Sequence, residues 1–133
     1  MYELKLKILK EDKKGNQKEV IESYLADKVE LCAEAENKAL ELCNGEGDVI
    51  SIKVAPYKEF INSRENDEQS IYKVKLISIF INDNGEEKET SYYVGCFAED
   101  LNKANSLVNQ YVSQGMENLK INAITKTNIL DII

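Results

Sequence analysis

Lysine and tyrosine side chains recur on predicted strand faces, and together these residue types can bind nucleic acid. Lysines neutralise phosphates and aromatic rings stack on bases, so a sheet face that carries both can hold a single strand. In this chain the lysines lie on the outward side of two alternating segments, and the tyrosines lie on the strand that follows the second of them. The residues are Lys5, Lys7, Lys73, Lys75, Tyr92 and Tyr93.

A structural role explains the same lysines, and we favour it. Glu3 and Glu89 interrupt the basic face, and lysines on strand edges commonly prevent strand-to-strand aggregation. The net charge of −7 weakens nonspecific attraction to nucleic acid and to anionic lipid. Nucleic-acid binding is therefore the alternative, and these six residues are its candidates.

Catalytic chemistry finds little support in the composition. The chain has no histidine, which removes the commonest general base and the Ser-His and Cys-His nucleophile pairs. Gly45-Glu46-Gly47 lacks the further glycine and the Lys-Ser/Thr of phosphate-binding loops, and it follows a predicted helix. Two carboxylates could perform acid-base catalysis, but no spacing singles out a pair among 24 acidic residues. We expect no enzymatic activity and no cofactor.

Metal binding is equally unsupported. Glu34, Glu36 and Glu41 do not share one face of the predicted helix, and no loop supplies the alternating oxygen ligands that calcium needs. Three cysteines without histidine cannot form a standard four-ligand zinc site within one chain. Their odd number and the lack of a CxxC pair favour buried thiols in a reducing compartment. The cysteines are Cys32, Cys43 and Cys96.

The elements that position these residues occur twice in the sequence. Tyr2-Glu3-Leu4-Lys5-Leu6 recurs as Tyr72-Lys73-Val74-Lys75-Leu76, and Gly15 recurs as Gly85. Such self-similarity indicates a duplicated architecture. The offset changes from 70 to 69 to 72 along the chain, where Tyr24-Leu25 matches Tyr93-Val94, Ala35 matches Ala104, and the segment from Ser51 to Ile61 matches Ala123 to Ile133.

The first repeat predicts two strands, a helix and a third strand. Residues 2–9 alternate in polarity, a polar turn with Gly15 follows, and a second strand runs from about 18 to 26. A helix is predicted at about 28–43, with Asp27 and Glu30 satisfying its first amides and Asn44-Gly45 ending it. Residues 49–54 then form a strand that ends near Pro56.

The second repeat has the same order and follows a polar linker, residues 62–70. Strands at about 71–81 and 87–96 flank an Asn84-Gly85 turn, and a helix at about 98–113 and a strand at about 119–127 complete it. Isoleucines alternate with other apolar residues along the first of these strands. The strand is therefore apolar on both faces and is predicted to be central or to carry a bulge.

The predicted fold is α+β: a tandem duplication of a strand-strand-helix-strand unit, with mainly antiparallel sheet and two helices packed on it, related by a pseudo-two-fold axis. The 133 residues are long enough for one compact domain, 1–133, made of repeats at about 1–61 and 71–133. The strand order in each unit and the association of the two sheets stay open. An unpaired sheet edge would suit a homodimer.

The location of the protein follows from its first residues and its apolar segments. The sequence begins without the basic and apolar regions of a signal peptide, and no apolar run is long enough to cross a bilayer. We therefore expect an acidic cytoplasmic protein that does not contact membranes.

The pattern of residues also resembles a known family, the small proteins grouped as domain of unknown function 4494. The similarity extends over nearly the whole chain. Those proteins occur in Bacteroidetes and their phages, including crAss-like phages, so the resemblance implies a phage or mobile-element setting. It implies no catalytic or binding residue. The matching segments are Tyr24-Leu25, Ala33-Glu34-Ala35-Glu36, Ile52-Lys53-Val54-Ala55-Pro56-Tyr57 and Tyr72-Lys73-Val74-Lys75.

These observations favour a non-enzymatic interaction protein that binds a host or phage protein. Binding of single-stranded nucleic acid through the lysine and tyrosine faces is the alternative, and binding or sequestering a small molecule such as a nucleotide is a lesser one. The repeats agree at strands, turns and helix starts but differ at outward side chains, as at Glu3 and Lys73. We therefore expect the function to lie on one half or across the junction of the two.

Overall fold

The computed structural model describes residues 1–115 and 118–133, which divide into two compact units. Unit 1 comprises Met1–Ala55 and Asn128–Ile133, and unit 2 comprises Pro56–Thr127. Each unit contains a four-stranded sheet and a helix, so the α+β prediction is confirmed. In chain order the elements are β1 (Tyr2–Glu11), β2 (Gln17–Ala26), α1 (Cys32–Leu42), β3 (Asp48–Val54), β4 (Tyr57–Phe60), β5 (Ser70–Ile81), β6 (Glu87–Ala98), α2 (Leu101–Gln114), β7 (Asn118–Lys126) and β8 (Ile129–Ile132).

Unit 1 has the strand order β3-β1-β2-β8. β1 and β2 pair antiparallel along their whole length, which confirms the predicted hairpin. Leu4 and Leu6, on one face of β1, are fully buried in a cluster with Ala35 and Ala39 of α1. Because the helix presents alanines to the sheet, its backbone can lie close to the strands.

Unit 2 has the equivalent order, β4-β6-β5-β7. Its core combines Val74 and Leu76 of β5 with Ala104 and Val108 of α2, all fully buried. β5 pairs with β6 on one side and β7 on the other, so the prediction of a central strand is confirmed. The register of β5 against β7 shifts by one residue, and the extra residue is Asn122 of β7.

The two hairpin turns have the same construction. The Asp12 carboxylate accepts a hydrogen bond from the Asn16 amide at 2.9 Å, and the Asn82 side chain accepts one from the Glu86 amide at 2.9 Å. The glycine three positions further on has a φ of +81° in the first turn and +79° in the second, a backbone conformation that residues other than glycine rarely adopt. The turn signals in the sequence therefore predicted both hairpins correctly.

Each sheet is completed by a strand from the other repeat. β4 closes the first repeat in sequence but pairs parallel with β6 of unit 2, and β8 closes the second repeat but pairs parallel with β2 of unit 1. Tyr57 lies opposite Tyr93, Ile129 lies opposite Ser23, and an equivalent register shift follows in both pairs. The sequence pattern does not predict this exchange.

The exchanged strands are held by equivalent main-chain contacts and different side chains. The Ile61 amide donates to the Gly95 carbonyl at 2.9 Å, and the Ile133 amide donates to the Leu25 carbonyl at 2.7 Å. In unit 2 the Phe60 ring lies directly over Gly95, and it also contacts the ring of Phe97 at a centroid distance of 5.6 Å. Gly95 is the position equivalent to Leu25 of unit 1, which is fully buried. In unit 2 the Phe60 ring fills the space above the glycine instead.

The predicted start of the first helix is wrong. α1 begins at Cys32, after an N-cap residue, Leu31, whose side chain makes no capping hydrogen bond. The Asp27 carboxylate accepts instead from the amide of Lys28, which has a φ of +57°. This left-handed residue is incompatible with a helix at that point. In unit 2, by contrast, Asp100 caps α2 by accepting from the Lys103 amide at 2.8 Å.

One predicted repeat match is also wrong. Leu4 and Val74 are equivalent positions of the two repeats. Tyr24 lies opposite Leu4 and Val94 lies opposite Val74, so Tyr24 corresponds to Val94 and not to Tyr93. The two hairpins have turns of equal length, which keeps the offset at 70 through this region. The prediction that residues 1–133 form one compact domain stays a prediction.

Cleavage of the loop before β5 tests the strand exchange. A protease site inserted between Asp67 and Glu68, both exposed, separates the repeats covalently. We expect the two fragments to remain associated in size-exclusion chromatography, because each carries the strand that completes the other's sheet. The uncleaved insertion variant is the control. Elution as two separate folded fragments would contradict the exchange.

Gly95→Ala tests how β4 packs against β6. A Cβ at this position overlaps the Phe60 ring, which must move away from Phe97 and Tyr57. We expect a loss of about 1–3 kcal/mol in the free energy of unfolding, measured by urea denaturation. Gly115→Ala is the matched control, because its φ of −73° is ordinary and its nearest neighbour lies 3.5 Å away. Equal stability of the two variants would show that the ring adapts without loss.

Candidate functional site

The structure brings three of the predicted residues together on the sheet face of unit 2 that does not contact α2. Lys73 and Lys75 alternate with the buried Val74 and Leu76 along β5, so they point away from the helix. Tyr93 lies opposite Lys75 on β6. The Lys73 ammonium is 4.4 Å from the centroid of the Tyr93 ring, a cation–π contact. One face of the Tyr93 ring is therefore covered by a lysine of the same sheet.

Tyr92 lies on the opposite face. It pairs with Leu76 and packs against the core that includes α2, because successive residues of a strand point to opposite sides. The Lys58 ammonium lies 4.6 Å from its ring centroid. Tyr92 and Tyr93 therefore cannot form one stacking platform.

Lys5 and Lys7 occupy the equivalent face in unit 1. Lys5 is exposed, and the Lys7 ammonium lies 3.1 Å from a carboxylate oxygen of Glu19 on β2. An exposed ion pair of this kind contributes little stability, and it lowers the positive charge that the face presents. The structure thus places each predicted lysine on a strand surface, and their role in nucleic-acid binding stays a prediction.

The end of the second hairpin carries exposed apolar side chains that the sequence analysis did not select as a site. We call this region the hairpin tip and define it as residues 79–89. Ile81 is 74% exposed and Phe80 is 43% exposed. The first hairpin has Glu11 and Lys10 at the equivalent positions, seventy residues earlier. The signal that could have identified the tip was this difference between the repeats.

Acidic side chains surround the apolar residues of the hairpin tip. Glu87 lies opposite Ile81 and Glu89 lies opposite Ile79 on the paired strand. Four carboxylates and one lysine fall within the tip, and the Lys88 ammonium is 3.2 Å from Glu86. The carboxylate-bearing residues are Asp83, Glu86, Glu87 and Glu89. The tip is therefore apolar and acidic together.

The tip also includes a stretch of sheet edge. β4 pairs with β6 only from Tyr93 to Gly95, so within the described residues Glu87–Ser91 pair with a strand on one side alone. All five of these residues are exposed. Unpaired amides and carbonyls on such an edge can accept a further strand from another chain.

The cysteines differ in environment. Cys96 is fully buried in the core of unit 2, and burial raises the pKa of its thiol to about 11, so it is protonated and unreactive at neutral pH. Cys43 is half-buried and donates to the carbonyl of Ala39. Cys32 is exposed at the start of α1, contrary to the expectation of three buried thiols. All three are free.

Metal binding and membrane spanning are the two further properties considered for the described residues. No group of three or more Cys, Asp or Glu side chains there is arranged to hold a metal ion. No helix in the described part of the chain is long and apolar enough to span a membrane.

These features define a small α+β protein whose two similar repeats exchange strands. The chain belongs to the DUF4494 family: the family model, described as a domain of unknown function, matches residues 1–133. The resemblance noted in the sequence is thereby confirmed. No curated protein and no solved structure gave a significant match to the chain.

The lysine face yields a prediction for nucleic acid. We expect no retention of short single-stranded DNA or RNA in gel shifts at low salt and roughly tens of micromolar protein, because Lys73 covers one face of the Tyr93 ring and the net charge is −7. Retention that falls steeply with salt, and that weakens in Lys73→Ala and Lys75→Ala but not in the edge variant Lys126→Ala, would instead support the nucleic-acid alternative.

Proposed function

We propose that this protein is a non-enzymatic, cytoplasmic interaction protein that binds another protein through its hairpin tip. The observation that carries the proposal is the exposure of Ile81 and Phe80 at the end of a hairpin whose counterpart in unit 1 is polar at the same positions. The phage or mobile-element setting implied by the family resemblance makes a host or phage protein the proposed partner.

The exposure of these side chains has a physical implication. A large apolar side chain that is exposed to water lacks the stabilisation of about 1.5–3 kcal/mol that full burial provides. Such side chains kept at a strand end are therefore typical of a surface that another molecule covers. Single exposed apolar residues occur on most proteins, and Leu101 and Leu130 are examples here. In the tip, large apolar side chains are exposed on both faces of one strand end, Phe80 on the side of α2 and Ile81 on the opposite side, beside an unpaired strand edge.

The acidic rim indicates the chemistry of the partner. Lysine or arginine side chains flanking an apolar segment would complement Glu87 and Glu89, while the apolar segment covers Ile81 on the same face of the hairpin. An extended segment could also pair with the edge at Glu87–Ser91, where main-chain hydrogen bonds give affinity and alternate side chains give specificity. Charges at the rim chiefly raise the association rate and exclude wrong partners.

The two other candidate functions have less geometric support. Nucleic-acid binding would need the Tyr93 ring, one face of which the Lys73 ammonium covers. Two cavities of unit 2 measure about 280 and 210 Å³, below the range of about 300–1,000 Å³ that is usual for small-molecule sites such as one for a nucleotide.

Affinity capture with matched variants tests the proposal. Phe80→Thr and Ile81→Thr remove apolar surface while keeping a residue that suits a strand, and Val54→Thr makes the same kind of change at a 73% exposed position in unit 1. For a partner captured from the native host and then purified, we expect the tip variants to raise the dissociation constant at least about tenfold, equivalent to about 1.4 kcal/mol, in calorimetric titration.

The control variant should bind with unchanged affinity. Folding of all three variants is checked by circular dichroism and by the midpoint of thermal unfolding. A partner that binds wild type and both tip variants equally well would place the interaction elsewhere on the molecule and refute the proposal.

A further inference from the structure

Main-chain groups of β6 point to a free strand edge along Glu87–Ser91, which we call the β6 edge. At one end of the strand, the Gly95 carbonyl accepts from the Ile61 amide beside β4, so Gly95 points away from β5. At the other end, the Glu86 carbonyl accepts from the Asn82 amide, so Glu86 points towards β5. Main-chain direction alternates along a strand, and β5 pairs with β6 without a register shift. The residues of the β6 edge whose amides and carbonyls point outward are therefore Glu87, Glu89 and Ser91.

The side chains of these three residues lie on the sheet face that does not contact α2. They alternate with Lys88 along the strand, so they share the face of Tyr93. Glu87 and Glu89 are exposed, and within the described residues neither carboxylate forms an ion pair. Lys88 points to the other face, where its ammonium is 3.2 Å from Glu86. The β6 edge is therefore acidic on the face that it shares with Tyr93.

The first repeat shows which cation the second repeat lacks. Glu19 of β2 is equivalent to Glu89, and its carboxylate lies 3.1 Å from the Lys7 ammonium. The position equivalent to Lys7 is Ile77, so an apolar residue replaces the lysine that would pair with Glu89. A carboxylate that has no cation in its own sheet is complementary to a cation of another chain.

A second copy of this chain fits the β6 edge poorly. Antiparallel pairing of two such edges about their centre places Glu89 opposite Glu89, and like charges directly opposite destabilise a strand pair. The lysine-bearing β7 of a copy would pair head to tail, which produces open chains instead of a closed dimer. The acidic side chains thus disfavour self-association and favour a basic strand.

We propose that the β6 edge binds an extended segment of a partner protein as an antiparallel strand, with lysine or arginine opposite both Glu87 and Glu89. This inference rests on the proposed function, because the edge adjoins the hairpin tip and the segment belongs to the same partner. In antiparallel pairing, the residue opposite Glu89 exchanges two main-chain hydrogen bonds with it, and its side chain lies on the same face as the carboxylate. Basic residues at alternate positions are therefore the mark of the segment.

Nuclear magnetic resonance titration of the full chain with synthetic peptides provides the test. The probe is the end-blocked peptide Thr-Thr-Arg-Val-Arg-Thr-Thr, whose arginines share one face when it is extended. Thr-Thr-Arg-Arg-Val-Thr-Thr has the same composition but places its arginines on opposite faces. Two further forms of the probe carry N-methyl groups, one on both arginines and one on the valine and the threonine after the second arginine.

The methylated peptides separate strand pairing from simple charge attraction. In the proposed arrangement the arginine amides donate to the β6 edge, and the valine amide points to solvent. We expect a saturable shift of amides in residues 87–91 with the probe at concentrations up to about 5 mM, a range that covers a weak short peptide. Methylation of the arginines should weaken binding at least about tenfold, and methylation of the valine and threonine should leave it unchanged.

Matched protein variants test the charges. Glu87→Gln combined with Glu89→Gln should weaken binding of the probe at least about tenfold, and Glu19→Gln, at the equivalent position of β2, should not change it. Circular dichroism checks that both proteins are folded. Sedimentation velocity of the protein alone, over a range of concentrations, tests the second copy as occupant.

Four outcomes overturn the proposal. They are equal binding of the two arginine orders, loss confined to the peptide methylated at valine and threonine, unchanged or no saturable binding when the folded double variant is compared with wild type, and self-association of the protein alone.

Ile81→Thr distinguishes this proposal from the proposed function. Ile81 lies on β5, and the probe contacts β6, so the variant should bind the probe as wild type does. If the probe does not bind while Phe80→Thr and Ile81→Thr weaken the captured partner, strand addition is refuted and the proposed function stands. If the probe binds as expected while the same variants leave the captured partner unaffected, the proposed function alone is refuted.

Discussion

Parallel pairing of the two exchanged strands is the interaction on which the architecture depends. Without β8, the edge of β2 beyond Ser23 would lack its neighbour, and without β4 the same is true of β6 beyond Tyr93. The Ile133 carbonyl accepts from the Asp27 amide at 3.1 Å and from the Lys38 ammonium at 3.2 Å, so β8 is bound to α1 as well as to β2. Every other element of each unit is contiguous in sequence. Through the exchange, each repeat depends on the other for one strand of its sheet.

Local signals in the sequence predicted the parts of the fold that depend on near neighbours. Alternation along β1 and β5, together with glycine at both turns, identified the two hairpins and the face that each buries. The helix stop at Asn44-Gly45 was also local, since both residues adopt positive φ. The start of α1 was missed because Asp27 can bond either a helical amide or the next residue's amide, and the left-handed Lys28 selects the second.

Contacts that are distant in sequence could not be predicted in the same way. β4 and β8 are four residues long, and nothing in Tyr57–Phe60 or Ile129–Ile132 specifies which of two similar sheets they join. The choice depends on pairs of residues that fit each other, such as Phe60 above Gly95. Such a fit can be recognised only once the strand is placed in the sheet. For the candidate site, the lysines and Tyr93 lie on strand surfaces, but Tyr92 packs against the core of unit 2. The Lys73–Tyr93 contact and the exposure of Ile81 depend on the folded sheet.

Duplication gave this protein two copies of each surface, and the copies now differ in charge and polarity. At the ends of the hairpins, one copy is mixed in charge and the other is apolar and acidic. The scaffold positions beneath them, such as Leu4 and Val74, remain apolar and buried in both. Buried side chains contribute far more to the free energy of folding than exposed ones. Core positions are therefore retained after a duplication, while surface positions can change.

The position of β8 at the far end of the sequence also imposes an order on folding during synthesis. Unit 2 is continuous, so all of its strands are available once β7 has been made. Unit 1 must wait from the end of β3 until β8 emerges, a delay of about 4–15 seconds for roughly 75 residues at typical translation rates. The unit that is translated first is therefore the last to be completed, and its unpaired β2 edge is the part of the nascent chain that stays exposed longest.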